Sequence, residues 1–487
     1  MELEQHFATF REHIVGQGKS FESLHGKQPL IYADWIASGR LYGPIEDTMR
    51  NEIGPMVANT HSFSSETGKA STYAYRHARQ IIKDHVNAGT NDVLVTTGTG
   101  MTGALARLQR IMGLRVADAQ AKKQTLPEAE RPVVFITHME HHSNQVPWME
   151  TLADVVLLPC DGELNVNPTA LEEALTKYAD RKIKIGAFTA ASNVTGIITP
   201  YSELAKIMHR HGGICIMDFA ASAPYVAIDM HPADSEAKLD AVIFSPHKFL
   251  GGPGTCGVLV FDKKLYQVNC PDVPGGGNVK WTDPWGNYQY YDDIETKEDG
   301  GTPGFLQVMR AALCMRLKDK MGTDNIAARE EELLETTFTR LRAIPNVSVL
   351  GDNGKTRIGV VSFNVDGAHY NLIVRLLNDR FGIQVRGGWS CASTYGHHLF
   401  QIDAKKSGEI TKGIQTKNLT DKPGWVRLSL HPVTSNKELA YILDAIEKVA
   451  AHHLEWATDY TYNPASNEFE HVSGDAKMLA TVTDWFA

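Results

Sequence analysis

Cysteine is scarce in this 487-residue chain. The six cysteines, at positions 160, 215, 256, 270, 314 and 391, lie scattered without metal-ligand spacing. No disulfide framework and no metal site are therefore expected, and the pattern fits a reducing, cytoplasmic setting. Long apolar runs are also missing. None approaches the ~20 residues needed to cross a bilayer, so no membrane span is expected. The start, Met1-Glu-Leu-Glu-Gln-His6, is acidic and lacks the basic-then-apolar order of a signal peptide. Basic charge is not in excess: 48 Lys and Arg face 57 Asp and Glu, a formal charge of −9, which argues against nucleic acid as the main partner. There is no internal repeat, and no glycine-rich loop ending in Gly-Lys-Ser/Thr, which excludes a P-loop. What remains is ordinary: 43% apolar and 22% charged residues describe a soluble globular protein, and the length favours two domains.

Against this background one stretch stands out, Asp240-Ala-Val-Ile-Phe-Ser-Pro-His-Lys-Phe-Leu-Gly-Gly-Pro-Gly-Thr-Cys-Gly-Val-Leu-Val-Phe261. Two apolar runs, 241–244 and 258–261, read as buried strands around a glycine-rich turn. A lysine held between them is costly to desolvate as a cation. Lys248 is thus a candidate for an amine of lowered pKa that attacks a carbonyl and forms a Schiff base. Ser245 and His247 beside it are placed to donate hydrogen bonds to an anion. A second stretch, Asp92 to Ala106, reads as strand, Gly/Thr turn and helix, and free N–H groups at such a helix start suit a phosphate. The buried strand 133–136 delivers the polar cluster Thr137-His-Met-Glu-His-His-Ser-Asn-Gln-Val-Pro-Trp148 at its C-terminal end, where open α/β sheets place ligands. Gly213-Ile-Cys-Ile-Met-Asp218 is a further buried strand, ending in a carboxylate.

Taken in order, these segments resemble the class V aminotransferase family of pyridoxal-phosphate enzymes, which includes cysteine desulfurases and selenocysteine lyases. The resemblance runs over roughly residues 30–455. Tyr32, Asp34 and Ala37 match the family's N-terminal "YLD-x-A". Residues Glu140 to Trp148 match "EHH-x-N-x-VPW", Glu298-Asp-Gly-Gly-Thr-Pro303 resembles "EAGTP", Arg386 to Ala392 resembles "R-x-G-x-x-C-A", and the strand with Arg427 resembles "R-x-S-x-x-x-Y-N-T". The resemblance implies the following roles for pyridoxal 5′-phosphate as cofactor. Lys248 forms the Schiff base, in the segment that also carries Ser245 and His247. Thr99 and Gly100 hold the phosphate. His141 stacks on the ring, Asn193 hydrogen-bonds its phenolic oxygen, and Asp218 keeps its pyridine nitrogen protonated. Thr302 reaches the phosphate of a neighbouring subunit, which implies a homodimer. Arg427, with Arg386, binds the substrate carboxylate, for which a guanidinium is well shaped. Cys391 is the sulfur-accepting nucleophile, with Arg386 near enough to favour its thiolate.

The fold so implied is α/β, fold-type I. A mostly parallel seven-stranded sheet forms a large domain over 30–325, and a smaller C-terminal α+β domain follows over 326–460. An N-terminal segment, 1–29, packs with the small domain, and 461–487 form a C-terminal extension. The chain also departs from the desulfurase pattern. Met101 stands where a glutamate is frequent, Ala221 where a glutamine or histidine is usual, Trp389-Ser390 where two histidines precede the cysteine, and Pro432-Val433 where Tyr-Asn is usual. The stretch 392–424 reads as a loop near the site mouth, longer than the family's. The expected reaction removes sulfur from L-cysteine, giving alanine and a persulfide on Cys391, with a sulfur-acceptor protein as the implied partner. Two alternatives use the same cofactor: β-elimination by a C–S lyase, which needs no cysteine, and amino transfer.

Overall fold

The computed structural model describes residues 2–474 and 477–486. Its centre is a seven-stranded sheet of β1 (Asp92–Thr97), β2 (Val133–Ile136), β3 (Asp154–Leu157), β4 (Lys184–Thr189), β5 (Ile214–Asp218), β6 (Ala241–Phe244) and β7 (Gly257–Asp262), in the spatial order β3-β2-β4-β5-β6-β7-β1. All neighbours pair in parallel except β7, which runs antiparallel to both β6 and β1. The unbroken apolar runs follow from burial on both faces. Val133 and Phe135 enter one core with Phe244 and Val258, while Val134 and Ile136 enter another with Ile243 and Leu259. Helices α1 (Glu66–His85), α2 (Gly100–Ile111), α3 (His142–Met149) and α4 (Phe305–Met321) belong to this layer, with α1 and α4 packed on each other and α2 against β7.

Helix α5 (Thr323–Arg342) leads into a second, four-stranded antiparallel sheet. Its strands are β8 (Val347–Val349), β9 (Val360–Val365), β10 (Arg386–Gly388) and β11 (Trp425–Ser429), in the order β8-β9-β11-β10. Together with α6 (Tyr370–Phe381) and α9 (Asn436–Trp456) it encloses a core that includes Phe363, Leu376, Leu428 and Ile446. A capping box starts α9: Ser435 Oγ accepts the Glu438 N–H at 3.0 Å, and Glu438 returns a bond to the Ser435 N–H at 3.0 Å.

The N-terminal segment packs on this second unit. Helix Leu3–Arg11 contacts α5, and the hairpin Ser20–Ser23/Gly26–Pro29 contacts α6. Ile31–Tyr32 then pairs in parallel with Ile383–Gln384, and Asp34 bridges to Ser429 at the end of β11. Residues beyond 459 form the hairpin β12 (Tyr460–Asn463) and β13 (Glu468–His471), followed by a helix over Lys477–Asp484. Among the described residues, no helix is long and apolar enough to cross a membrane.

The stretch after Cys391 is not a loop. It holds α7 (Ser393–Leu399) and α8 (Ala404–Gln415). Helix α8 buries only Ile410, so it leaves almost no apolar period to read. Local bonds support it instead: Asp403 caps the Lys406 N–H at 2.8 Å, and Lys406 pairs with Glu409 at 3.2 Å.

Candidate active site

The loops that follow the C-terminal ends of β1, β2, β4, β5 and β6 converge with β10 and β11 on one cavity of about 500 Å³. All the site residues expected from the sequence line it except Thr302, which is exposed and outside it.

At one end, β1 turns through Gly98-Thr99-Gly100 into α2. Gly100 has φ +60°, and a Cβ there would lie 3.0 Å from Ser245 Oγ, so the turn requires glycine. The Met101 N–H donates to Ser245 Oγ at 2.8 Å, and Thr99 at the N-cap makes no side-chain cap. The start of α2 therefore presents backbone N–H groups and a positive dipole end to the cavity.

At the floor lies Lys248, in the 3₁₀ turn Pro246–Lys248 that ends β6. Burial lowers its ammonium to about 8, against the opposing pull of Asp218. Asp218, at the end of β5, is buried and accepts the Ala220 N–H at 2.7 Å. Burial pushes its carboxyl up to about 6, while the Ala220 N–H and Lys248 act the other way. His141 caps α3, its Nδ1 accepting the Ser143 N–H at 3.1 Å. Burial, then the positive charge of Lys248, holds His141 at about 3 and His247 at about 4, so both imidazoles are neutral at neutral pH.

The opposite wall comes from the smaller unit. Arg427, on β11, is 3% exposed, and it gives Nη2 to Asp34 Oδ1 at 2.8 Å and Nη1 to the Asn193 carbonyl at 3.1 Å. Arg386, on β10, gives Nε to the other Asp34 oxygen at 2.9 Å. The turn after β10 places Ser390 and Cys391 in succession in the left-handed region, φ +49° and +57°. Two neighbours hold this costly backbone: Asn193 Nδ2 donates to the Ser390 carbonyl at 2.7 Å, and the His142 N–H donates to the Cys391 carbonyl at 2.8 Å. His142 Nε2 also lies 2.7 Å from Ser393 Oγ and accepts the Ser393 N–H at 3.2 Å, at the start of α7. Cys391 itself is exposed at the cavity mouth, unlike a cysteine packed for its volume.

The cavity suits a polar ligand. Among the described residues, buried Asn193 Oδ1, Ser390 Oγ and Arg427 Nε have no hydrogen-bond partner, and all three residues line it. A helix start for an anion, an amine of lowered pKa for a carbonyl and a buried carboxylate for a cationic ring nitrogen fit pyridoxal 5′-phosphate. Two members of the site escaped sequence reading. Asp34 was visible only as part of the N-terminal motif, without a partner, and His142 only as the second histidine of its cluster.

The family model of class-V aminotransferases matches residues 31–442. The chain is 30% identical over 372 residues to a probable cysteine desulfurase of Halalkalibacterium halodurans, an alignment covering 75% of this chain and 84% of that one. It is 30% identical over 376 residues to a cysteine desulfurase of Synechococcus elongatus, covering 76% of this chain and 56% of the relative. The solved structure of the cysteine desulfurase from Thermococcus onnurineus superposes with a TM-score of 0.72 at 24% identity, over 91% of this chain and 98% of that one. This chain belongs to the class-V aminotransferase family. It is a pyridoxal-phosphate-dependent enzyme of fold-type I.

Proposed function

We propose that the chain is a cysteine desulfurase that takes sulfur from L-cysteine and carries it as a persulfide on Cys391. The names of its relatives support this reading. The single observation that carries it is that an exposed cysteine on the smaller unit lines the same cavity as the buried Lys248 of the larger one. In this reading Thr99, Gly100, Ser245 and His247 hold the phosphate end of the cofactor. Asp218 faces its ring nitrogen, His141 lies against the ring, and Asn193 serves the phenolic oxygen. Bound there, pyridoxal phosphate supplies an electron sink for charge left on the substrate carbon.

The protein's own groups do the rest. Arg427 is fixed by Asp34 and Asn193 with Nε left over, and it receives the substrate carboxylate with Arg386 beside it. Lys248, with its pKa brought down to about 8, is a base near neutrality and takes the Cα proton. The Cys391 thiolate then attacks the substrate sulfur. An S–S bond forms and the C–S bond breaks with its electron pair left on Cβ; Cβ takes up a proton and Lys248 returns a proton to Cα, which gives alanine. Water or an acceptor thiol meets the persulfide at the exposed mouth, which fits delivery to a sulfur-acceptor protein. A cytoplasmic homodimer, with Thr302 of each subunit completing the site of the other, belongs to the same proposal. So does the division at residues 29, 325 and 460.

The test is incubation of the purified enzyme with L-cysteine, measuring alanine, pyruvate and sulfur together. Alanine matched by protein-bound persulfide is the expected result. Pyruvate with ammonia would make the enzyme a C–S lyase, and dependence on a keto acid would make it an aminotransferase.

A further inference from the structure

Three potential metal ligands meet outside the cavity just described. His25 lies in the turn of the N-terminal hairpin, Asp459 ends the short 3₁₀ turn after α9, and His471 closes β13. One ligand atom from each lies within 4.8 Å of the others. We propose that His25, Asp459 and His471 bind a divalent transition-metal ion, with zinc the best chemical match, and that this ion clamps the N-terminal hairpin to the C-terminal extension.

The three positions are set by ordered contacts. The His25 N–H donates to Ser23 Oγ at 3.0 Å, and Ser23 Oγ donates to the Asp379 carbonyl at 2.6 Å, which ties the hairpin turn to the end of α6. His471 is registered opposite Tyr460, the residue after Asp459, so the β12–β13 pairing brings His471 back over the end of α9. One oxygen of Asp459 accepts Arg380 Nη2 at 2.5 Å, and the Arg380 guanidinium lies over the Trp456 ring, 4.5 Å from its centre. That arrangement orients the carboxylate and leaves its other oxygen for an ion, as a supporting outer partner does at metal sites. His471 takes the Ser473 N–H on Nδ1 at 3.1 Å, and the His25 and His471 rings lie 5.5 Å apart. The closing distance to a tetrahedral ion, with ligand atoms ~2.0–2.2 Å from the metal, is within reach of side-chain rotation.

The ligand chemistry selects the ion. Two imidazoles and one carboxylate suit zinc and its transition-series neighbours, whereas calcium and magnesium take oxygen sets. The need for a clamp is also visible. The strands of the N-terminal hairpin bury no residue and those of the C-terminal hairpin bury only Tyr460, so each contributes little apolar burial of its own. An ion shared by His25 and His471 closes nearly the whole length of the chain into one loop, the connection with the largest loop-closure effect.

The experiment uses untagged, cofactor-loaded enzyme dialysed against chelator and titrated with zinc chloride by calorimetry, then with cobalt(II) by absorption spectroscopy. The expected result is one equivalent of zinc per chain with a dissociation constant in the micromolar range or tighter. Affinity should fall at least 100-fold in both His25→Ala and His471→Ala, with a cobalt spectrum free of a thiolate charge-transfer band. Zinc should raise the melting temperature of the wild type but not of either variant, and both variants should turn over L-cysteine at the wild-type rate at room temperature. His25→Gln, with its circular dichroism checked, covers the case of an alanine variant that folds poorly. The proposal is overturned by absence of zinc binding, by equal binding in wild type and variants, or by a thiolate band that places the metal on a cysteine.

Discussion

Asp34 sets one carboxylate oxygen on each of two arginines: Oδ1 lies 2.8 Å from Arg427 Nη2, and Oδ2 lies 2.9 Å from Arg386 Nε. The two arginines sit opposite one another on the antiparallel strands β10 and β11, and Asp34 reaches them because its backbone bridges to Ser429. A residue near the N-terminus thereby orients the guanidinium assigned to the substrate carboxylate. Burial, and after it the charge of Arg386, depresses the Arg427 pKa, and Asp34 is the main counterweight.

Arg427→Ala is expected to raise the KM for L-cysteine by ~10–100-fold with a smaller change in kcat, the loss of a charge-assisted contact worth ~1.5–3 kcal/mol. Asp34→Ala acts differently, because it leaves a buried cation without its partner. A loss of ~3–5 kcal/mol in stability is expected, read as a lower urea midpoint. A D34A variant as stable as the wild type would show that the pair is not needed to keep Arg427 buried.

Cys391→Ala is expected to abolish protein-bound persulfide while leaving the visible absorption of the bound cofactor and its response to L-cysteine intact. Borohydride reduction should fix the cofactor on the peptide containing Lys248 in both proteins. His142→Ala removes the acceptor of the Ser393 N–H beside the strained Ser390–Cys391 turn, so it should slow sulfur transfer ~10-fold without altering that absorption. Wild-type turnover in C391A would refute the persulfide route in favour of elimination.

Glu330 provides a pH test away from the chemistry. It is buried on α5 with one oxygen on the Gly359 N–H at 2.7 Å, and burial raises its carboxyl to about 8. The folded state therefore holds a proton that the unfolded chain releases near its ordinary value of 4.5. The stabilisation is fully present below that value and is lost as pH rises toward 8, with a slope of up to ~1.4 kcal/mol per pH unit. Glu330→Gln should flatten this part of the stability profile, measured by urea unfolding between pH 5 and 8. An unchanged slope would mean that the carboxyl is not protonated in the folded protein.

Thr302 is exposed and outside its own subunit's cavity, which is the arrangement a composite site requires. Light scattering should give a dimer, and Thr302→Ala should weaken cofactor retention by ~1 kcal/mol, about fivefold, without dissociating it. A stable monomer that retains full cofactor affinity would count against the shared site.

Local sequence was sufficient for the large sheet. Runs such as Val133-Val-Phe-Ile136 can only be strands buried on both faces, and the polar residues that follow them must emerge at strand ends. Lys248, Asp218 and His141 were legible for that reason, each being fixed by the strand before it. The glycine at position 100 was legible as a turn, and only the approach of Ser245 to 3.0 Å from its missing Cβ explains why no other residue serves there. Tertiary structure decided what depends on segments far apart in the chain. Asp34 pairs with Arg427 across 393 positions, and His142 holds the Cys391 carbonyl from another unit of the fold. No local periodicity encodes such contacts. It also decided the stretch after Cys391, where α8 buries Ile410 alone and is held by a cap and a surface ion pair, so that its sequence looks like a solvated loop. Hydrophobic pattern is written along the chain wherever one face is buried, whereas a polar site assembled from several strand ends exists only once those strands are packed.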